Sequence, residues 1–515
     1  SNLRRPGSSS RGARSTEPGR RRLLSHIMAQ RPMALLRQLL LCGLALQADA
    51  QIRVMSPESL IVDIGKSGRI EGSTATFGAP FYGDRVLGQL VYGTSKGKSH
   101  CTDEDYTIPD ASASGSGYRA GDAAKTSLIN IVLVRRGQCS FTTKVRVAYE
   151  KGAHAVIIVD KEDSKLATKD MANIIVADDG HGMKIHIPSV LIAKQEGQKL
   201  INEAMRSGSK VIVELAWDLP TSHHVVVDLW MSSASAESLK FLREFTPKRR
   251  VLDKVVQFKP HYAVFGVDSK SPDVYNELCT DETGKYCAED PDGAGPITGK
   301  MVLIEDVRQL CIHDAYKATQ VSTQPGVPPV EYAREFWDYI EHFLEECPLP
   351  VDGAPPKPFE TFGEQCSDRL MGKVGIDVEK IHKCQRDTMD AKLKLQREFP
   401  AWSPRALRIN GWRYSGILDS DLVTRAICSG FINQPKECRD LIKKRDPRQS
   451  YFEQKSDGVT FGQMLGWLFG TVILGFVVLL LYKRYLKKEM RTTLREEVML
   501  EVQAQMGEYS KLQAG

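Results

Sequence analysis

The sequence predicts a multidomain ectodomain, rich in strands and of mixed α/β class, that one transmembrane helix anchors. Three observations support this fold class. Residues 461–482 contain no charged side chain. All ten cysteines that follow residue 50 precede this apolar stretch. Apolar, β-branched runs alternate with helix-like segments over residues 51–218, which indicates a sheet that is buried on both faces.

The apolar stretch at residues 461–482 sets the predicted topology. Its 22 residues would rise about 33 Å as a helix, enough to cross a hydrocarbon layer of about 30 Å. Six basic residues follow closely, and basic flanks stay on the cytosolic side. We therefore expect a type I protein with a cytosolic tail at 483–515. Small residues four apart within the span also favour a homodimer: Gly462, Gly466 and Gly470.

The N-terminal 50 residues are expected to lie outside the folded protein. Residues 1–27 are rich in Arg, Ser and Gly without apolar periodicity, and we interpret them as a disordered upstream extension. Residues 28–50 have the pattern of a secretory signal peptide. Arg31 and Arg37 supply its basic region, an apolar run follows, and Ala48-Asp49-Ala50 fits the cleavage site.

The positive net charge of the chain comes from that extension. Residues 1–27 contain seven arginines and one glutamate, a net charge of +6, and the formal net charge of the whole chain is also +6. The remainder therefore has no excess of basic residues, and no nucleic-acid partner is predicted.

Cysteine usage predicts an oxidising compartment. An even number of cysteines outside the cytosol is typical of disulfides. No C-x2-C pair occurs in the sequence, so no metal site is predicted, and no cofactor is expected. Proximity favours the pairs Cys279–Cys287 and Cys428–Cys438. Four cysteines can pair in three ways: Cys311, Cys347, Cys366 and Cys384.

Residues 51–218 are predicted to form the first domain. Its strands are predicted at 85–92, 129–136, 155–160, 187–192 and 210–215, and its helices at 142–151 and 194–205.

Three motifs of this domain resemble a protease-associated (PA) domain. They are RRGQCSF at 135–141, GAHAVIIV at 152–159 and IPSVLI at 187–192. The segment FGAPFYG at 77–83 is similar to the start of that domain in plant vacuolar sorting receptors. The resemblance implies a β-sandwich or barrel with helices, and a disulfide between Cys101 and Cys139, the two cysteines of this half.

The same resemblance implies a peptide-binding site. It places cargo binding at the turn of Arg135, Arg136, Gly137 and Gln138, beside Ile187, Pro188 and Ser189. A glycine-containing turn exposes backbone groups, a disulfide stiffens it, and arginine offers a planar fork for a carbonyl or carboxylate.

Residues 219–445 are predicted to form a second, disulfide-bonded α/β domain. The strand predicted at 255–265 and the cysteine-bearing segment after it resemble the thioredoxin-like central region of the same receptors. A strand is predicted at 225–230, and helices at 235–245, 331–346, 367–374, 378–384 and 422–428. Residues 302–312 are predicted to form a helix or a strand followed by a helix. Pro404 resembles the cis-proline that precedes the edge hairpin of thioredoxins.

The second domain is not expected to be an enzyme. Thioredoxin chemistry requires C-x-x-C, and GVDSKS stands at 266–271 in its place. A membrane-bound oxidoreductase is therefore disfavoured. His223 and His224, at the joint between the domains, suggest a hypothetical acid switch, with exposed loop histidines as the alternative. No repeats like those of epidermal growth factor lie between Cys438 and the span, although the receptors carry them.

The tail carries a sorting motif. Tyr509 and Leu512 fit the Y-x-x-Φ pattern that clathrin adaptors read in extended peptides. The sequence thus predicts a single-pass receptor of Golgi, endosomal or vacuolar membranes that binds soluble cargo polypeptides, without catalysis. The alternative is a static docking module that binds a partner protein and does not cycle.

Overall fold

The computed structural model describes residues 50–95, 99–108, 128–171, 173–206, 208–269, 271–293, 295–321, 328–350, 357–449, 451 and 461–512. The predicted upstream extension and nearly all of the predicted signal peptide lie outside these residues. The described residues before 450 form one compact unit, and those from 451 onward form a second unit.

The first domain is a closed seven-stranded barrel. Its strands are β1 (Ala50–Ser56), β2 (Arg69–Thr74), β3 (Arg85–Tyr92), β6 (Ile129–Arg135), β7 (Ala155–Val159), β8 (Ser189–Ile192) and β9 (Ile212–Ala216); β4 (Thr94–Ser95) and β5 (Tyr106–Thr107) form a separate ribbon. The barrel order is β1-β2-β8-β7-β6-β3-β9. Neighbours from β3 through β6 and β7 to β8 are parallel, and the remaining pairs are antiparallel.

The described residues of the barrel domain include four α-helices. They are α1 (Glu58–Ile64), α2 (Phe141–Glu150), α3 (Thr168–Met171) and α4 (Lys194–Met205). Successive side chains of a strand point to opposite faces, and β6 shows the result. Ile131 and Leu133 join one apolar cluster, whereas Val132 and Val134 join a second cluster that contains α2. Burial on both faces explains why β6 has a nearly continuous apolar sequence.

The second domain is built on a four-stranded sheet of order β11-β10-β14-β15. The strands are β10 (Val225–Met231), β11 (Val256–Tyr262), β14 (Ala406–Ile409) and β15 (Trp412–Arg413), and β12 (Lys317–Gln320) pairs with β13 (Val330–Ala333) outside the sheet. The helices are α5 (Ala236–Val251), α6 (Pro272–Leu278), α7 (Gly299–Tyr316), α8 (Arg334–Glu346), α9 (Glu364–Lys373), α10 (Val378–Glu398), α11 (Ser420–Ser429) and α12 (Lys436–Leu441).

Three local predictions for this domain are wrong. The helix predicted from residue 331 begins at Arg334, because residues 331–333 pair with β12. The helix predicted to end at Cys384 continues to Glu398. The peptide bond before Pro404 is trans, although the hairpin after it forms as expected.

Five disulfides join all ten cysteines of the described residues. The pairs are Cys101–Cys139, Cys279–Cys287, Cys311–Cys384, Cys347–Cys366 and Cys428–Cys438. Three of them are the pairs named from the sequence, and the other two resolve the four cysteines that the sequence left open. The last four lie in the second domain. Two of these connect helices: Cys311–Cys384 joins α7 with α10, and Cys347–Cys366 joins the end of α8 with α9.

The two domains share a buried joint. The Tyr82 hydroxyl accepts a hydrogen bond from the backbone N–H of Ser415 at 2.8 Å, and its ring stacks on Tyr414 at 5.2 Å between centroids. The N–H of Ile417 donates to the carbonyl of Gly78 at 2.9 Å. Because these bonds are buried and mostly use backbone groups, they hold the FGAPFYG segment of the barrel against the second domain.

Within the C-terminal unit, residues 461–512 form one continuous helix, α13 (Phe461–Leu512). Within it, residues 464–502 include a stretch long and apolar enough to cross a membrane. The predicted span at 461–482 falls at the start of α13, and the predicted tail continues the same helix to Leu512.

A buried carboxylic acid lies in the core of the second domain. Asp306 on α7 is 1% exposed, and its Oδ1 accepts the N–H of Ser233 at 3.0 Å. Burial raises the pKa of Asp306 to about 8. The folded protein therefore retains a proton that the unfolded chain releases near its ordinary pKa of 3.8.

Asp306→Asn should flatten the pH dependence of stability. Because the folded-state pKa of Asp306 is raised, its contribution to the free energy of unfolding is complete below about pH 4. That contribution is lost as the pH rises through about 8, by at most about 1.4 kcal/mol per pH unit. We expect the wild-type chain to have a higher free energy of unfolding at pH 5.5 than at pH 7.5, and the variant to show a smaller difference. Urea unfolding at both pH values measures this, and an unchanged difference in the variant would contradict it.

Candidate functional site

A tight turn follows the buried strand β6. Gly137 has φ of 123° and Gln138 has φ of 67°, both in the left-handed region, and the N–H of Cys139 donates to the Gly137 carbonyl at 2.9 Å. Glycine adopts such a conformation at no steric cost. The turn ends at Ser140, whose Oγ accepts the N–H of Thr143 at 3.2 Å and caps α2. The two residues at the tip, Gly137 and Gln138, are exposed.

The two arginines before the turn have different environments. Arg135 is 8% exposed, and its guanidinium donates to Oε1 of Gln198 at 2.5 Å. Arg136 is half-buried, and its Nη1 lies 3.1 Å from Oδ1 of Asp160. Its guanidinium also lies 5.3 Å from the centroid of the Phe141 ring. Arg135 is therefore a support of the fold, whereas Arg136 is held in place but remains accessible.

Asp160 is the residue that sequence reasoning missed here. Its side chain is 0% exposed, and its Oδ2 has no hydrogen-bond partner among the described residues. It follows β7, the parallel neighbour of β6, so both strands end at the same edge of the sheet. Its charge therefore depends on Arg136, because a buried carboxylate without a partner is costly.

The segment of Ile187, Pro188 and Ser189 is buried rather than exposed. Ile187 belongs to the second apolar cluster at 4% exposure, and Ser189 is 1% exposed. The Pro188 carbonyl accepts the N–H of Val156 at 3.0 Å. Their side chains therefore pack inside the barrel domain, and together with Arg135 they lie beneath the surface that a ligand could touch. Only the tip, Arg136 to Gln138, remains open.

A second loop borders the turn. The hydroxyls of Ser140 and Thr142, as hydrogen-bond donors, lower the pKa of Asp179 to about 2. The exposed His181 lies beside it, with Nδ1 3.5 Å from Oδ1 of Asp179. The turn thus has a cation in Arg136 and, across the start of α2, a carboxylate that stays ionised.

A buried lysine packs against the disulfide at the turn. Lys144 on α2 is 0% exposed, and its Nζ lies 3.4 Å from Sγ of Cys101, the partner of Cys139. Burial lowers the pKa of Lys144 to about 8. The turn is therefore fixed from below by a covalent bond and a packed side chain.

The segment that would carry redox chemistry holds no thiol. Gly266, Val267 and Asp268 follow the strand β11, and they border a cleft of about 500 Å³. It is lined by Gly266, Val267, Asp268, Thr283, Gly284, Lys285 and Arg397. Every cysteine of the described residues is in a disulfide, so no nucleophilic sulfur is available there.

The remaining predicted positions lie apart from the turn. His223 is exposed, and His224 is half-buried directly before β10. Burial, and then the charge of Lys259, lower the pKa of His224, so this histidine stays neutral further into the acid range. Tyr509 and Leu512 lie at the end of α13, and their side chains are outside the described residues.

Comparison with known families assigns both domains. Residues 225–428 match the family model described as the vacuolar sorting receptor thioredoxin-like domain, and residues 86–200 match that of the PA domain. Vacuolar-sorting receptor 3 of Arabidopsis thaliana is 30% identical over 411 residues, which cover 74% of this chain and 59% of that protein. Vacuolar-sorting receptor 1 of Pisum sativum is 30% identical over 410 residues, with the same coverage.

The chain is similar to the vacuolar-sorting receptors over both of its folded domains. It spans about three fifths of the length of these curated vacuolar-sorting receptors. The expected combination of a PA domain, a thioredoxin-like domain and disulfides is confirmed.

Solved structures that resemble parts of the chain come from other families. An aminopeptidase from Aneurinibacillus sp. strain AM-1 is 25% identical, covering 33% of this chain and 30% of its own, with a TM-score of 0.19. Reduced DsbA from Mycobacterium tuberculosis is 12% identical, covering 44% of this chain and 91% of its own, with a TM-score of 0.27.

The Arg136–Asp160 pair should show an asymmetric response to mutation. Arg136→Ala leaves the buried Asp160 carboxylate unpaired and should cost roughly 3 kcal/mol or more of unfolding free energy. Asp160→Asn leaves a half-exposed arginine that water can solvate, and should cost about 1 kcal/mol. The double variant should be close to Asp160→Asn alone. Urea unfolding of the wild type, the two single variants and the double variant tests this double-mutant cycle. Equal losses of unfolding free energy in the two single variants would contradict the proposed dependence of buried Asp160 on Arg136.

Proposed function

We propose that the chain is a type I membrane sorting receptor, which binds soluble polypeptides in the secretory pathway and delivers them to a vacuolar or lysosomal compartment. The observation that supports this most is the turn of Arg136, Gly137 and Gln138. Its tip at Gly137 and Gln138 is exposed, a disulfide at Cys139 constrains it, and it lies in a PA domain joined to a vacuolar sorting receptor thioredoxin-like domain.

The chemistry of the turn suits an extended peptide. Asp160 engages one nitrogen of the Arg136 guanidinium, and the fork retains further N–H donors for a peptide carbonyl or a C-terminal carboxylate. The left-handed backbone at Gly137 and Gln138 presents main-chain groups at the surface. The Cys101–Cys139 disulfide and Asp160 hold this arrangement before the ligand arrives, which lowers the entropic cost of binding.

The proposed role is binding without catalysis. The described residues offer no free thiol, and the redox position of the thioredoxin-like domain is occupied by GVDSKS. The helix α13 would cross the membrane, with the basic flank after residue 482 in the cytosol. The Tyr509–Leu512 motif would then be available to a clathrin adaptor.

Static docking to a partner protein remains the second candidate function. The rigid joint between the domains favours it, because a receptor that binds one permanent partner needs no moving element. The two functions differ in their response to pH. Cargo that is carried and released should be bound near neutral pH and lost in acid, whereas a docked partner should be retained at both.

Peptide retention tests the site. We would immobilise the full-length chain in detergent and apply a pool of random heptapeptides with free C-terminal carboxylates, quantified by mass spectrometry. Because Arg136→Ala alone leaves a buried charge, it is best made in the Asp160→Asn background. We expect Asp160→Asn to retain peptides and the double variant to retain at least about tenfold less.

Arg146→Ala provides the matched control, because Arg146 on α2 is exposed and pairs only with Glu150 among the described residues. It should retain the wild-type amount. If the double variant retains as much peptide as Asp160→Asn does, the turn is not part of the peptide-binding site. A pool with amidated C-termini shows whether the carboxylate is recognised, and retention that does not fall at about pH 5 would favour docking.

Trafficking tests the tail. Tyr509→Ala should shift the full-length protein from internal membranes to the cell surface, because an adaptor pocket loses its tyrosine. Surface biotinylation measures the surface fraction, and we expect it to rise several-fold. Tyr485→Ala is the control, since Tyr485 lies in the same helix outside the motif. An unchanged surface fraction for Tyr509→Ala would argue against cycling.

A further inference from the structure

Three side chains of metal-ligand type meet between α9 and α10 in the thioredoxin-like domain. Glu364 and Asp368 are four residues apart on α9, which places them on one face of that helix. His382 on α10 faces both: its Nε2 lies 2.9 Å from Oδ1 of Asp368 and 3.8 Å from Oε1 of Glu364. One imidazole nitrogen and two carboxylates therefore converge on a single point.

We propose that Glu364, Asp368 and His382 bind a divalent transition metal ion, for which Zn²⁺ is the natural probe. Ligand atoms at about 2.0–2.1 Å from a tetrahedral Zn²⁺ lie about 3.3 Å from one another. The two separations from His382, 2.9 and 3.8 Å, bracket that value, and all three ligand atoms lie within 4.8 Å of one another. Three protein ligands would leave the fourth position to water. This site is independent of the proposed peptide-binding turn.

The backbone around the three ligands is fixed by two disulfides. Cys366 lies between Glu364 and Asp368 in sequence and is bonded to Cys347. Cys384 lies two residues after His382 and is bonded to Cys311. Both helices are thus tied covalently to their neighbours close to the ligands. A metal ion would therefore bind groups that are already close, with little loss of chain entropy.

The ligand set and its charge favour a transition metal over Ca²⁺ or Mg²⁺. Imidazole suits Zn²⁺ and similar ions, whereas the hard cations prefer sites made of oxygen alone. Two carboxylates with a neutral imidazole carry two negative charges, which a divalent ion balances. Arg308 is the nearby cation: it is buried, it pairs with Glu305, and Asp368 is among the carboxylates that raise its pKa. Its main partner is thus outside the site.

The competing explanation is a simple ion pair between His382 and Asp368, with Glu364 as a bystander. The two explanations differ in what Glu364 does. Its side chain is 66% exposed, and its closest approach to His382 is 3.8 Å, too long for a hydrogen bond. Its loss should have little effect on the fold, but it should remove a metal ligand.

Calorimetry with the full-length chain in detergent tests the proposal. After treatment with EDTA and its removal, we expect Zn²⁺ to bind at one site that is lost or weakened at least about tenfold in His382→Gln, in Asp368→Asn and in the exposed Glu364→Gln. Co²⁺ in place of Zn²⁺ should give visible d–d absorption in the wild type and none in His382→Gln, which reports coordination directly. Ca²⁺ and Mg²⁺ should not compete at similar concentrations.

Two histidine controls make the test specific. His181→Gln removes another histidine beside a carboxylate, at 3.5 Å from Asp179, and His342→Gln removes a half-buried histidine on α8. Both should bind Zn²⁺ as the wild type does. Absence of wild-type binding, or binding at the wild-type level by Glu364→Gln or His382→Gln, would overturn the proposal without affecting the peptide-retention result.

Discussion

The barrel domain depends on one constraint, the burial of β6 and β7 along their full length. Every residue of these two strands is buried, so they can present a solvent-accessible polar group only beyond their ends. Since the strands are parallel neighbours, their carboxyl ends meet at one edge. Arg136 and Asp160 are the first residues beyond that edge. The apolar interior thus determines where the domain can present a charged, accessible group.

Much of the first domain could be predicted from sequence because its signals are local. The strand at 85–92 and the helix at 194–205 have the bounds that their patterns indicate, and Gly152 follows α2 directly after its last turn. The turn at Gly137 could be placed through its glycine and cysteine. The Asp160 partner could not, because it lies 24 residues further on and approaches Arg136 only through strand pairing.

The failures have physical reasons of the same kind. The family resemblance implied that Ile187, Pro188 and Ser189 lie beside the turn, but it gave no sign that this segment is buried. Residues 331–333 carry a helical pattern that pairing with β12 overrides. The second half of α10 is mostly polar, and Leu393 and Gln396 are its buried positions, so little periodicity marks it. The Glu364–Asp368–His382 cluster combines two helices, and no spacing rule reports it.

The length of α13 has a consequence for how its far end could be used. A helix of 52 residues is about 78 Å long, more than twice the thickness of a bilayer core. If the apolar part lies in lipid, the terminal tyrosine stands about 40 Å from the membrane surface. An adaptor that binds an extended peptide could bind this segment only if the last turn of α13 unwinds. Terminal turns fray readily. Under the proposed sorting role, the Tyr509–Leu512 motif would therefore be recognised far from the membrane, where the end of the helix unwinds.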